Sequence, residues 1–275
     1  MKSALIWFLI SPTLVFGQLK EYLMGKEPDL QSWSQGTDNS SAIRKIQSQG
    51  LFDDYLVGDD LASNCYVVDF DADGINDLLY FGYLGGESLG LVFFKNDGQE
   101  YSKIFEVMGN LVYLSEFKMY TPLSFAVNHY GCCASINDVL EYYTPTNIDV
   151  EFKYQLSQKI AHIKGMLFPV DGFIDPIAFK TVNPEYKMRL KPIIDDDQSF
   201  HPDYPMPGNT IAIYPAGSLG TAIATKTDET GRVWYFAIMK NNIEPIKNIL
   251  FKGYNNDQSY FSMGWISSRF VEELK

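Results

Sequence analysis

The stretch CYVVDFDADGINDLLYFGYLGGESLGLVFFKNDG, residues 65–98, decides the fold class of this chain. Its short runs of Val, Leu, Tyr and Phe are separated by Gly, Asn and Asp, which is typical of antiparallel strands joined by turns. Asn96-Asp97-Gly98 is a hairpin-turn signal, because these residues tolerate the backbone conformations that tight turns need. The stretch therefore predicts consecutive antiparallel strands.

Runs of the same kind continue along the first part of the chain and predict a mostly β fold. Residues 40–52, SSAIRKIQSQGLF, instead predict a short helix that Ser40 or Ser41 caps and Gly50 ends. Residues 136–143 fit either a helical turn or an irregular crossing. The predicted strands are 64–69, 77–83, 89–95, 102–107, 111–117, 123–130 and 148–163.

Pro and Gly punctuate residues 165–185 and predict a linker between two regions. The N-terminal β region is expected over residues 18–164 and a second region over 186–275. Strand-like runs of the second region are 211–214, 220–225, 232–240 and 264–268.

The amino terminus has the pattern of a signal peptide over residues 1–17. Met1 and Lys2 precede an apolar run over 4–16, and Gly17 allows cleavage before Gln18. The apolar run is too short to span a bilayer, which takes roughly 20 residues. We therefore expect a periplasmic or secreted protein without membrane insertion after signal cleavage.

The charge of the chain disfavours two classes of partner. Its 34 acidic and 22 basic residues give a formal net charge of −12. Such a chain repels phosphate backbones and anionic lipid, so nucleic acid and membrane surfaces are not expected as partners. Hydrophobic residues make up 46% of the sequence, which is ample for a folded core.

Three cysteines, Cys65, Cys132 and Cys133, predict one disulfide and one spare thiol in an exported protein. The expected bridge joins Cys65 to one member of the adjacent pair. A strained bridge between Cys132 and Cys133 is the alternative.

The sharpest functional motif is DFDADGIND, residues 69–77, named here the aspartate loop. Its spacing places carboxylates at positions one, three, five and nine, a turn glycine at six, and a backbone carbonyl at seven. Calcium prefers six to eight oxygen ligands, and a loop that folds around the ion supplies them from alternating residues. The predicted calcium ligands are Asp69, Asp71, Asp73, Ile75 and Asp77.

The segment DFDADGINDLLYFG, with the strand-like CYVV before it, resembles the FG-GAP and VCBS-type repeats of β-propellers, in which a calcium loop joins two strands of a blade. The resemblance covers about one blade, residues 64–83. It implies a structural calcium site and flanking hairpins.

Residues 190–272 resemble bacterial SH3 domains. The resemblance rests on Gly231-Arg232-Val233-Trp234-Tyr235-Phe236 and on Gly264-Trp265-Ile266-Ser267-Ser268, with an unusual insertion over 241–263 between them. It implies a small C-terminal barrel and binding of cell-wall peptide or a docking partner. The aromatic side chains either line a ligand groove or pack in the core; they are Tyr214, Trp234, Tyr235, Tyr254 and Trp265.

Tests for catalytic motifs fail. His129, His162 and His201 lie in separate segments without companions at metal-ligand spacing. His129 with Cys132 or Cys133 is the nearest approach to a Cys-His pair, and no nucleophile elbow or phosphate-binding loop occurs. We therefore expect a non-catalytic binding protein.

The expected partner is cell-envelope peptide or glycan, or a protein. The first alternative is a periplasmic inhibitor or immunity-type protein against a wall-degrading enzyme, since acidity suits a basic target. The second alternative is a hydrolase with scattered carboxylates, whose separation in space the sequence does not reveal.

Overall fold

The computed structural model describes residues 19–31, 34, 38–55, 61–85, 89–115, 121–130, 135–148, 151–197, 199, 206–250 and 260–274. The predicted signal peptide lies outside these residues. Two compact units divide the chain: Glu27–Lys164, and Gly165–Lys275 together with the described residues up to Lys26. No helix of the described ranges combines the length and the apolar character needed to cross a bilayer.

The N-terminal unit contains one described α-helix and two antiparallel sheets. The helix, α1 (Ser40–Ser48), lies in the predicted segment, and Gly50 follows it with a φ of +70° that favours glycine. The first sheet has the order β1-β2-β3-β4 and the second the order β5-β6-β7-β8. The strands are β1 (Cys65–Val68), β2 (Asp77–Tyr83), β3 (Leu89–Asn96), β4 (Tyr101–Met108), β5 (Asn110–Leu114), β6 (Phe125–Tyr130), β7 (Asn137–Ile148) and β8 (Glu151–Ile163).

The first sheet is covered on both faces, which explains why β1 is buried throughout. One face packs with α1, including Ile46 and Val67. The opposite face forms a core with the second sheet, in which Phe93, Phe125 and Tyr154 have ring centroids 4.8–4.9 Å apart. Two-sided burial also explains why the sequence of this sheet reads as continuous apolar runs rather than strict alternation.

Residues 136–143, which the sequence left undecided, fall almost entirely within β7. The long antiparallel pairing of β7 with β8 runs from Asn137↔Ile163 to Ile148↔Glu151. Strand pairing over this length is decided by the neighbouring strand, and the local sequence does not encode it.

The C-terminal unit is also an antiparallel sheet. The described strands follow the order β16-β9-β12-β13-β15, and β15 continues through β10 and β11 to β14. They are β9 (Phe173–Thr181), β10 (Tyr186–Arg189), β11 (Thr210–Tyr214), β12 (Leu219–Thr227), β13 (Val233–Met239), β14 (Lys247–Asn248), β15 (Tyr260–Ser267) and β16 (Val271–Glu273).

The predicted mostly β, antiparallel class is confirmed for the described residues. No pairing among them closes the C-terminal sheet into a barrel, so the likeness to SH3 domains stays a prediction.

The prediction of a linker over residues 165–185 is corrected. Strand β9 lies in this segment and pairs with both β12 and β16, so the segment belongs to the sheet of the C-terminal unit. Its prolines and glycines misled the interpretation, because β9 accommodates Pro176 within a strand and Gly172 precedes the strand with a φ of +68°.

Candidate metal centre

The aspartate loop connects β1 to β2 and is anchored by the side chain at its second position. Phe70 is fully buried, and its ring centroid lies 5.2 Å from that of Phe93 in the core between the two sheets. Its backbone carbonyl accepts a hydrogen bond from the Leu123 amide at 2.9 Å. The alternation of the loop thus directs an aromatic ring into the core and leaves the neighbouring carboxylates together outside it.

Three of the four predicted carboxylates converge. Asp69, Asp71 and Asp77 each offer an oxygen, and these oxygens all lie within 4.8 Å of one another. Oxygens at this separation can contact one calcium ion, whose bonds to oxygen measure about 2.3–2.6 Å. The acidic triad, as these residues are called below, therefore fits a hard divalent cation, although its geometry does not select calcium over other hard cations.

Backbone amides hold the triad in place. Asp77 is fully buried and accepts hydrogen bonds from the amides of Asn96 at 2.8 Å and Phe70 at 3.3 Å. Asp69 accepts from the amides of Gly74 at 3.0 Å and Asp73 at 3.1 Å. These contacts fix the carboxylates before any ion binds, which lowers the entropic cost of binding.

The backbone of the loop contains a strained position. Ala72 has a φ of +62°, the only non-glycine residue with positive φ among the described residues. A left-handed conformation costs an alanine about 1–2 kcal/mol. Such strain persists where the surrounding contacts impose it and is frequent at binding sites.

The surroundings disfavour a negative charge on Asp77 and Asp69 in the absence of a cation. Burial raises the pKa of Asp77 to about 8, against the opposing hydrogen bond from Asn96, and the charge of Asp71 raises it further. Burial also raises the pKa of Asp69, and the charges of Asp71 and Asp73 add to the effect. A bound cation would reverse this effect by stabilising the charged forms.

Lys95 at the end of β3 supplies an internal positive charge. Its ammonium nitrogen contacts Asp71 and lies 2.7 Å from Asp73 Oδ2. Partial burial lowers the pKa of Lys95, but its hydrogen bonds with Asp71 and Asp73 outweigh this and raise the pKa. Lys95 thus bridges Asp71 of the triad and Asp73, the predicted fifth-position ligand, which does not belong to the triad.

An open pocket of about 440 Å³ gives access to this side of the loop. Its wall includes Asp71, Asp73, Lys95 and the exposed Glu151.

The hydroxyl of Tyr154 is buried and has no hydrogen-bond partner among the described residues. Burial, followed by the charges of Asp77 and Asp71, raises the pKa of Tyr154 well above its usual value.

The role of the Ile75 backbone carbonyl as the calcium ligand at position seven stays a prediction. What the structure shows at this residue is its amide, which donates to Asp73 Oδ1 at 2.8 Å. Asp73 is thereby fixed in a turn, which the D-x-D-x-D-G spacing had indicated.

Of the two interpretations of the C-terminal aromatic side chains, the structure supports packing in a core and not a groove. Trp234, Trp265 and Tyr214 are at most 1% exposed, and Tyr235 is 9% exposed. Tyr254 lies outside the described residues. The four described rings pack inside their unit, as the alternative interpretation of the sequence held, because large aromatic side chains in strands supply much of the buried apolar area.

Cys65 is a free thiol that is 3% exposed, and burial raises its pKa to about 12. A thiol in this state is a poor nucleophile. The free thiol contradicts the expected bridge from Cys65 to Cys132 or Cys133. The alternative bridge between Cys132 and Cys133 lies outside the described residues and stays a prediction.

Sequence reasoning missed a polar cluster on β6, β7 and β8. His129 Nε2 lies 2.9 Å from Glu141 Oε2, which also accepts a hydrogen bond from the Tyr143 hydroxyl at 2.6 Å, and Lys159 lies 3.2 Å from Glu141 Oε1. Burial opposes ionisation of Glu141, but the hydrogen bonds with His129 and Tyr143 prevail and lower its pKa to about 2. These residues meet across three strands, so no local spacing reveals them.

Comparisons of the chain with protein-family models, curated proteins and solved structures found no match. The function must therefore be argued from the site itself.

Proposed function

We propose that this chain is an exported, non-catalytic binding protein that carries one structural calcium ion in its aspartate loop. Its partner would be cell-envelope peptide or glycan, or another protein. The observation that carries the calcium proposal is the convergence of Asp69, Asp71 and Asp77, whose oxygens lie within 4.8 Å of one another in a loop of calcium-binding spacing.

The spacing of the loop, rather than the geometry of the triad, favours calcium over magnesium. The loop offers carboxylate and backbone oxygens, and calcium accepts six to eight such ligands in a flexible arrangement. Magnesium requires a near-ideal octahedron and retains several waters. The signal-peptide pattern over residues 1–17 supports the proposal, because it would deliver the chain to a calcium-rich exterior.

The ion would compete with Lys95 for Asp71. A divalent cation beside the triad would repel the Lys95 ammonium, which contacts the same carboxylate. Because Lys95 is 27% exposed and borders the open pocket, its side chain can turn toward water without breaking the core. The ion would then fix the loop between β1 and β2 and compensate the negative charges of its four carboxylates.

Thermal unfolding with calcium and with excess chelator tests the proposal. A ligand that binds only the folded state at 100 times its Kd adds about 2.7 kcal/mol of stability. We expect calcium to raise the melting temperature of the native chain by several degrees and Asp71→Asn to abolish the rise. Asp54→Asn, which changes an exposed carboxylate of the same unit, should keep it.

The same measurement with magnesium identifies the ion. A rise with calcium alone supports the calcium proposal, and an equal rise with both ions would replace it with a general divalent site. Equal melting temperatures in calcium and chelator would show that the loop is only an acidic turn.

Two further observations separate the classes of partner. Retention of the pure protein on purified cell-wall sacculi supports envelope binding, whereas co-purification with a basic hydrolase and loss of its activity supports the inhibitor alternative. Turnover of a glycan or peptide that survives Asp71→Asn would support the hydrolase.

A further inference from the structure

A second pocket, of about 150 Å³, lies in the C-terminal unit and is named here the Arg232 pocket. It is far in sequence from the aspartate loop and is lined by side chains from β10, from the start of β13 and from the turn after β15. The lining residues used below are Glu185, Lys187, Arg189, Ile194, Arg232, Trp234 and Phe270.

The guanidinium of Arg232 is held in place yet has no counter-ion. It lies over the indole of Trp234, 5.8 Å from the ring centroid. Its Nε atom is buried and has no hydrogen-bond partner, and no carboxylate pairs with it among the described residues. A buried donor without an acceptor costs free energy that a ligand oxygen would recover.

The turn before β13 builds this arrangement. Asp228 Oδ2 accepts a hydrogen bond from Trp234 Nε1 at 2.9 Å and so orients the indole. Asp228 Oδ1 accepts from the amides of Thr230 at 2.9 Å and Arg232 at 3.1 Å. The Asp228 carboxylate thus binds the turn amides and the indole, and it forms no ion pair with the Arg232 guanidinium.

Two more cations stand in the pocket, but they are already paired. Arg189 is 5% exposed and donates to Asp196 at 2.8 Å and to Asn209 at 2.8 Å, and Lys187 lies 3.0 Å from the other oxygen of Asp196. Lys187, Arg189 and Arg232 stand against three carboxylates, those of Glu185, Asp196 and Asp228, so the charges around the pocket balance. Of the three cations, only the Arg232 guanidinium has no carboxylate partner among the described residues.

The rim of the pocket is apolar. Ile194 is 54% exposed and Phe270 is 45% exposed, and both line the same pocket. A ligand that fits must therefore combine one negative charge with an apolar group.

We propose that the Arg232 pocket binds a carboxylate that carries an adjacent apolar side chain, with the Arg232 guanidinium as the ion-pair partner. A guanidinium presents two parallel N–H groups that match the two oxygens of a carboxylate. One guanidinium without a carboxylate partner suits a monoanion better than a phosphate dianion. The carboxylate can belong to a free amino-acid derivative or to the C-terminus of a peptide, which share this chemistry.

This inference does not rest on the calcium proposal, because the pocket and the acidic triad belong to different compact units. All binding experiments are therefore done with the full mature chain at one fixed calcium concentration, and failure here leaves the calcium proposal intact.

The test uses N-acetyl-phenylalanine, its C-terminal amide and inorganic phosphate, followed by ¹⁵N NMR of the tryptophan indoles. A ligand of this size is expected to bind with a Kd of about 1 mM or lower. We expect N-acetyl-phenylalanine to shift the Trp234 indole signal, and the amide and phosphate to bind at least about tenfold more weakly. Acetyl-Ala-Ala-Phe, compared with the free derivative, distinguishes a peptide terminus from a small molecule.

Arg232→Gln should weaken binding of the carboxylate at least about tenfold. The matched control is Arg269→Gln, which removes an exposed arginine outside the pocket lining and should leave binding unchanged. If Arg232→Gln lowers the melting temperature by more than a few degrees, Arg232→Lys, which keeps the charge but loses the planar fork, gives the same comparison. Equal binding of acid and amide, or binding unaffected by both Arg232 substitutions, would overturn the proposal.

Discussion

The aspartate loop and the Arg232 pocket differ in whether their charged side chains have an internal counter-ion. The loop gathers four carboxylates within nine residues and already contains a partial counter-ion in Lys95, which contacts Asp71 and Asp73. The pocket gathers cations from separate strands and leaves the Arg232 guanidinium without a carboxylate partner. A ligand of the loop must therefore displace an internal charge, whereas a ligand of the pocket meets a free one.

This difference shows how each site depends on the core. The loop is tied to the aromatic core by Phe70, one of its own residues. The pocket is placed by strand pairing, since Arg189 on β10 pairs with Trp265 on β15, and Trp234 on β13 pairs with Ser267 of the same strand. Damage to a single core side chain should thus affect the loop more than the pocket.

The largest effect is expected from Phe70→Ala. Removal of a fully buried phenylalanine costs about 3–5 kcal/mol of unfolding free energy, and it should also weaken calcium binding because the loop loses its anchor. Urea unfolding measures the first effect and calcium titration the second. Phe270→Ala, at a 45% exposed rim position, should change stability by no more than about 0.5 kcal/mol. Equal effects of the two substitutions would contradict the assignment of Phe70 as the anchor.

Acid should act on the N-terminal unit first. His162 on β8 is 3% exposed, and burial lowers its pKa from 6.5 to about 4. A base with a lowered pKa in the folded state contributes stability above pH 6.5, and this stability is lost as the pH falls toward 4, by up to about 3 kcal/mol.

Glu141 affects the unfolding free energy at a lower pH than His162 does. Its folded pKa is about 2, so the stability it contributes is present above pH 4.5 and is lost only as the pH falls toward 2. Burial raises the folded pKa of Asp77 to about 8, so Asp77 adds stability as the pH falls from 7 to 4.5, and the test is a difference between variants. Over that range the unfolding free energy of the native chain should fall relative to that of His162→Gln. The same slope in both would remove His162 as the cause.

The smallest expected effect concerns the internal counter-ion. Lys95→Gln removes the cation that competes for Asp71, so calcium affinity should rise by about tenfold, or roughly 1.4 kcal/mol. Stability in chelator should fall, because the carboxylates lose their partner. Lys103→Gln removes a lysine of β4 that pairs with Glu106 and should leave calcium affinity unchanged. Weaker calcium binding in Lys95→Gln would show that Lys95 orients the loop and does not compete with the ion.

Local signals predicted much of the fold. The strand β2 has the predicted bounds, and α1 lies in the predicted segment and is followed by Gly50. These elements were predicted correctly because hydrophobic periodicity and turn glycines act over a few residues. The predicted cap was wrong, because Asn39 is the N-cap residue and Ser40 is already helical. The prediction of a linker over residues 165–185 failed because Pro and Gly indicate only local conformation. Whether β9 joins a sheet depends instead on its pairing with β12 and β16.

By itself, the sequence determined the mostly β class and the position of the aspartate loop, since strand alternation and ligand spacing are both contiguous patterns. Only the tertiary structure decided which carboxylates meet. It brought the carboxylates of Asp69, Asp71 and Asp77 together. It also placed Lys95 against Asp73, because β3 carries this lysine to the loop from 22 residues away in sequence. It further buried Trp234 and Trp265 and placed Arg232 at a pocket. Burial and charge pairing depend on neighbours across strands, and those neighbours are fixed only when the sheet forms.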